Sequence, residues 1–382
     1  MRNPFWLIGI IMCLCYVPCY SQDSIQQKII LIGDAGALKN GRHPVVSAVR
    51  NSIPMDGKTT IIYLGDNLYP TGLPDESARE YYSQRAILDS QIHIADNTNA
   101  KVYFIPGNHD WNNGKQGGWE TIIRQQVYVD DNGGKNVKFY PEDGCPGPQE
   151  VPITPDITLI IMDSQWWIHP YDKPGIESDC PYKTKAEVLT RLDDLLSRNS
   201  KKLVIFAVHH TFRSYGIHGG YFTLKQHVFP LTDVFPKAYF PLPGIGSVYP
   251  ITRGVFGTTE DMRHPAYASL ISDVEKVIKG HQNVIYVAGH EHTLQLIKDS
   301  GYFYIVSGAG TKSTRVNKNK KLLFGAEKNG FVTLGISKNK NVNATFYSID
   351  SLQAKKEFTQ DLLNFSSIPE PKNPNDRVKE KK

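Results

Sequence analysis

Five short apolar runs in this chain stop at side chains able to hold a cation. They are ILIGDAG with Asp34, IYLGDNLY with Asp66, Asn67 and Tyr69, YFIPGNHD with Asn108, His109 and Asp110, IFAVHH with His209 and His210, and VYVAGHEH with His290 and His292. Runs this continuous in aliphatic and β-branched residues suit strands covered on both faces. Four of them close in a glycine-marked turn. In open α/β sheets, ligand sites form outside the carboxyl ends of the strands, so the five loops are expected to share one crevice.

The rest of the chain keeps this alternation. Strands are predicted over Lys28–Ile32, Thr59–Leu64, Lys101–Ile105, Ile157–Met162, Leu203–Val208, Val284–Ala288, Tyr302–Val306, Phe331–Ile336 and Asn343–Tyr347. Helices are predicted over Pro44–Asn51, Ser77–Ala95, Trp119–Val129, Lys183–Arg198 and His264–Ile278. The pattern is α/β, with one main domain over 22–350. Two stretches break it. Residues 219–263 are rich in Pro, Gly and aromatics without a period, and read as an insertion: a lid, a surface for a partner or membrane, or a decoration. Residues 351–382 form a C-terminal extension whose polar, proline-bearing end, from about 366, is expected to be disordered.

The chain opens with a targeting segment. Arg2 supplies a positive start, Phe5–Val17 is too short to span a bilayer comfortably, and Cys19-Tyr20-Ser21 resembles a small-x-small cleavage site. A signal peptide over 1–21 implies a secreted, periplasmic or cell-surface protein. Cys19 could instead carry lipid, although Pro18 fits a lipobox poorly. Removing the leader leaves Cys145 and Cys180, which either form one disulfide or stay as free thiols. Neither has a CxxC partner, which argues against thiolate metal binding.

At 382 residues, with 40% apolar and 11% aromatic content, the chain can bury a large core. Its formal charge of +5 is small for that length, and Lys and Arg scatter until the last dozen residues, which argues against a nucleic-acid partner.

Carboxylate, amide and imidazole donors without nearby cysteine suit iron, manganese or zinc. The candidates outnumber what one ion accepts, so a pair is inferred. In an extended segment residues two apart face the same side, about 6.5 Å apart at about 3.3 Å per residue. His290 and His292 are therefore expected to serve one ion each.

The ordered set GD, GDN, GNHD, HH and GHEH resembles that of the calcineurin-type metallophosphoesterases, and among them the small purple acid phosphatases of the tartrate-resistant type. The likeness runs from Lys28 to about Gly310, with GDNLYPTG, GNHDW, AGHEHTLQLI and SGAG in register. It implies a four-layer sandwich of two mixed β-sheets flanked by helices. It also implies two metal ions. Asp34, Asp66, Tyr69 and His292 would hold the first, Fe(III), with Asp66 bridging; Asn108, His209 and His290 would complete the second site, for Fe, Zn or Mn. Tyr69, three residues past the bridging aspartate, marks the purple branch, whereas many other members carry a histidine where this chain has Gly36. His218, nine residues past His209, falls at the family's catalytic histidine. The chain departs from the pattern at His210, where tyrosine is usual, and at Ala35, where tryptophan is customary.

The implied activity is hydrolysis of small-molecule phosphate monoesters by hydroxide formed from metal-bound water. His109 and His218 would protonate the leaving group, and Asp110 could orient His109. A phosphodiesterase or nucleotidase on the same centre, or a surface binding protein with vestigial catalysis, are the alternatives. A monomer is expected, touching a membrane only through a lipidated Cys19 or the insertion.

Overall fold

The computed structural model describes residues 24–221, 228–229, 239–241 and 258–367. The expected leader, most of the insertion and the tail beyond Ser367 lie outside the described residues. In chain order the strands are β1 (Ile25–Ile32), β2 (Thr59–Tyr63), β3 (Lys101–Phe104), β4 (Val137–Phe139), β5 (Gln149–Thr154), β6 (Ile157–Ile161) and β7 (Leu203–Ala207). There follow β8 (Val284–Ala288), β9 (Leu294–Asp299), β10 (Tyr302–Ser307), β11 (Leu322–Ala326), β12 (Gly330–Ser337), β13 (Asn341–Asp350) and β14 (Gln353–Asn364). The helices are α1 (Pro44–Ser52), α2 (Tyr81–Ile92), α3 (Gly118–Gly133), α4 (Ser164–Ile168), α5 (Lys185–Arg198) and α6 (Pro265–Ile278).

The strands form two seven-stranded mixed sheets, in the orders β14-β13-β12-β1-β2-β3-β4 and β11-β9-β10-β8-β7-β6-β5. Strands β1 to β4 run parallel, as do β6, β7, β8 and β10. Alternation along β1 explains the unbroken apolar runs. Ile29 and Leu31 face a core shared with Ile205, Ile285 and Val287 of the other sheet, while Ile30 and Ile32 join the core that includes Val45 and Val49 of α1. Each sheet is thus covered by the other sheet on one face and by helices on the other.

Local signals fix the helix starts. Thr184 and Glu187 form a capping box at α5. Pro44 opens α1, where its missing N–H costs nothing, and His43 Nδ1 caps the helix by accepting from Val46 N–H.

Of the elements absent from the sequence reading, which also include β9, β11 and α4, three have weak patterns. β4 is only three residues long, β5 contains Pro152 at a sheet edge, and β14 reads QAKKEFTQDLLN with little buried surface. The domain end expected at 350 therefore falls inside a hairpin, because β14 pairs antiparallel with β13 and packs against α1. The helix expected over 77–95 is shorter, starting at Tyr81 and ending in a 3-10 turn at His93–Ala95. Cys145 and Cys180 are bonded, joining the loop after β4 to the loop before α5. Among the described residues no helix is long and apolar enough to cross a membrane.

Candidate metal centre

The five motif loops leave the carboxyl ends of β1, β2 and β3 in one sheet and of β7 and β8 in the other. After the glycines at 33, 65 and 289, the next residue takes a left-handed backbone: φ is 57° at Asp34, 54° at Asp66 and 67° at His290. Asp and His are among the few side chains that tolerate this region, and it turns each one sharply off its strand. The glycines permit close approach. A Cβ at Gly65 would lie 2.5 Å from His209 Nδ1, and one at Gly289 would lie 2.7 Å from Asp34 Oδ2.

Two donor clusters result. In the first, Tyr69 Oη lies 3.1 Å from Asp34 Oδ1 and 3.2 Å from His292 Nε2, with His292 Nε2 3.3 Å from Asp34 Oδ1. Asp34, Asp66 and His292 each offer a ligand atom within 4.8 Å of the others. In the second, Asn108 Oδ1 lies 3.0 Å from His209 Nε2 and 3.2 Å from His290 Nδ1. Asp66 lies between the clusters, its Oδ1 3.4 Å from His209 Nε2. All seven expected ligands are thus brought together.

The protonation pattern of the second cluster is set by the backbone. His209 Nδ1 is 2.8 Å from Leu64 O and His290 Nε2 is 2.7 Å from Glu260 O, so each ring keeps its N–H on the outer nitrogen. As neutral rings, the form in which imidazole binds a metal, both would turn lone pairs toward each other, 3.2 Å apart, and toward Asn108 Oδ1. Three acceptors would then converge without a proton to share, an arrangement that a cation placed among them relieves. Burial, reinforced by His218, His210 and His209, holds His290 well below the usual imidazole range, and burial brings His292 down to about 4.

The acids are polarised. Burial raises Asp34 to about 7, opposed by His209 and aided by the charge of Asp66. Asp66 is equally buried, yet His209, His109 and His292 outweigh desolvation and hold it below the ordinary carboxylate range. Burial and both carboxylates push Tyr69 well above a normal phenol. Oxygen and neutral imidazole donors, buried and matched in this way, fit hard or borderline metal ions.

The two histidines outside these clusters flank them. His109 meets the Tyr69 ring edge-on at 4.5 Å, with Nδ1 2.6 Å from Pro70 O and Nε2 3.9 Å from Asp66 Oδ2. The His218 ring lies 4.2 Å from that of His290, and its Nδ1 is 3.2 Å from Asp261 Oδ1.

Two expectations change and a third holds. His290 and His292 do not share a face of an extended segment: the strand ends at Ala288, and the positive φ of His290 turns its ring to the second cluster while His292 joins the first. Asp110 does not orient His109. It is buried and accepts from the backbone N–H groups of Asn67, Leu68 and Gly107 and from Gln125 Nε2, so it shapes the loops instead. His210, expected as a packing neighbour, is that, with Ser164 Oγ at its Nδ1. Two positioning groups escaped the sequence reading. Asp261 sits in the aperiodic insertion, and Glu291 holds the His218 loop by accepting from His218 N–H and Ser214 Oγ.

Comparison with known proteins identifies the family and the fold. Residues 27–308 match the model of the calcineurin-like phosphoesterase family. Purple acid phosphatase 17 of Arabidopsis thaliana is 23% identical over 363 residues, covering 92% of this chain and 89% of the relative. The purple acid phosphatase PPD1 from yellow lupin (Lupinus luteus) seeds superposes with a TM-score of 0.53 at 14% identity, over 88% of this chain and 54% of that one. GAP50, the anchor in the inner membrane complex of Plasmodium, superposes at 0.52 and 16% identity, over 89% of both chains. At such identities the structural likenesses speak to the fold, including its two mixed sheets flanked by helices.

Proposed function

The chain belongs to the calcineurin-like phosphoesterases, and from that premise we propose that it is an exported, dinuclear phosphatase that hydrolyses small-molecule phosphate monoesters as purple acid phosphatases do. The observation that carries the reading is the triad of converging acceptors, His209 Nε2, His290 Nδ1 and Asn108 Oδ1, beside the Asp34, Asp66, Tyr69 and His292 cluster.

Asp34, Asp66, Tyr69 and His292 would hold one ion, and Asn108, His209 and His290 the other, with Asp66 shared. When bound, the cations supply Lewis acidity toward phosphate oxygens and make solvent acidic enough to act as a nucleophile. A phenolate donor favours ferric iron in the first site; iron, zinc or manganese suits the second.

The chain's own groups manage the protons. His109 keeps its Nδ1–H on Pro70 O, so that Nε2 faces the site, while Asp261 orients His218. Each can deliver a proton to a departing alkoxide. The Cys145–Cys180 disulfide supports export, since such bonds persist in oxidising compartments.

The test is turnover of a chromogenic monoester and its bis-ester by the metal-loaded protein. Faster monoester cleavage, abolished in Asp66→Asn, is expected. Preference for the bis-ester would make the chain a diesterase, and equal rates in wild type and variant would remove the hydrolase reading.

A further inference from the structure

The loop between β10 and β11 departs from the scatter of charge read in the sequence. Within residues 312–321 it carries Lys312, Arg315, Lys318, Lys320 and Lys321 and no acid. It also straps the candidate centre. Thr311 Oγ1 donates to Asp34 O at 2.8 Å, Thr314 N–H to His292 O at 2.7 Å, and Asn317 N–H to Tyr215 O at 2.8 Å. Lys321 pins the far end, its Nζ 2.6 Å from Asp299 Oδ1. Among the described residues, Lys312, Arg315, Lys318 and Lys320 have no carboxylate partner, and all four are exposed.

Lys312 comes nearest to the centre. Its Nζ lies 4.0 Å from the centroid of the Tyr69 ring, whose hydroxyl is 3.1 Å from Asp34, and His109 meets the same ring. Cation–π contact thus fixes an ammonium beside one cluster and one candidate proton donor, without an ion-pair partner among the described residues. Two ions held by the clusters would match the charge of a single phosphoryl group. Lys312 and three more exposed cations on a strap anchored to Asp34 and His292 offer binding charge that a simple monoester does not use. Positive charge beside a site discriminates ligands by total charge.

We infer that Lys312, backed by Arg315, Lys318 and Lys320, selects small phosphate esters carrying a second anionic group over singly phosphorylated, otherwise neutral ones. The inference rests on the phosphatase reading of the centre. Its first test needs no turnover: calorimetric titration of inorganic tripolyphosphate and of inorganic phosphate into the metal-free full chain. Tripolyphosphate is expected to bind about tenfold tighter than phosphate, a preference cut about fivefold by Lys312→Gln, further by adding Arg315→Gln, and reduced in high salt. Equal tripolyphosphate affinity in wild type and Lys312→Gln overturns the inference. The second test compares kcat/KM for a sugar bisphosphate and a sugar monophosphate in the metal-loaded protein. The bisphosphate preference is expected to fall about fivefold in Lys312→Gln, through KM, and to survive in Lys312→Arg. An unchanged preference overturns the inference and leaves the phosphatase reading standing. Failure to hydrolyse either sugar phosphate removes that reading instead, and the tripolyphosphate titration still decides the role of the loop.

Discussion

His209 Nε2 and His290 Nδ1 stand 3.2 Å apart, each the lone-pair side of a ring whose N–H is held by a main-chain carbonyl. As neutral rings these are two buried acceptors, costly to fold unless something positive sits between them. The cost is imposed by the backbone: Leu64 O at the end of β2 fixes one ring, and Glu260 O at the end of the insertion fixes the other. The fold therefore builds this half of the centre before any ion arrives.

His218 is held by Asp261, whose Oδ1 lies 3.2 Å from Nδ1 and fixes the orientation of the ring. Asp261→Asn should lower kcat about tenfold, the usual scale for weakening one acid-base group. Asp261→Glu, which keeps the carboxylate, should recover most of the lost kcat. Equal losses in the two variants would assign Asp261 a purely structural role.

His43 makes stability depend on pH. Its ring is buried, with Nδ1 accepting from Val46 N–H and Nε2 donating to Ala35 O at 2.5 Å, and burial lowers its pKa from 6.5 to about 4. Between these values the unfolded chain takes up a proton that the folded one refuses, so stability falls as pH drops from 6.5 toward 4 and levels off below. Urea unfolding at pH 7 and pH 4.5 should show His43→Gln losing less stability on acidification than wild type, by about 2 kcal/mol. Parallel losses would mean that other groups set the dependence.

Cys145 and Cys180 close a segment at a sequence separation of 35. Replacing both with serine should cost about 2 to 4 kcal/mol in chemical unfolding, mainly by freeing the unfolded chain. Monoester turnover below the melting range should be largely kept, because neither cysteine lies in a donor cluster. An unaltered unfolding midpoint would show that the segment is already held by its packing.

Much of this is legible in the amino-acid sequence. The apolar runs ending in GD, GDN, GNHD, HH and GHEH placed β1, β2, β3, β7 and β8, and all seven donors converge as their motif order implied. The sheet edges were hidden because exposed strands such as β14 carry polar residues on both faces. The second-rank contacts were hidden for another reason. Asp261, Glu291 and Lys312 act through loops whose partners are distant in sequence, so no spacing rule marks them. His290 shows the limit of strand periodicity, since one positive φ breaks the two-residue alternation that would put His290 and His292 on one side.

Anomalous diffraction from crystals of the aerobically purified protein, recorded at the absorption edges of iron, zinc and manganese, tests the central claim most directly. Two peaks are predicted, one bounded by Asp34, Tyr69 and His292 and one by Asn108, His209 and His290, with Asp66 between them. No peak at either cluster after soaking with these metals, or a single ion that leaves the Asn108, His209 and His290 acceptors unfilled, would contradict the account.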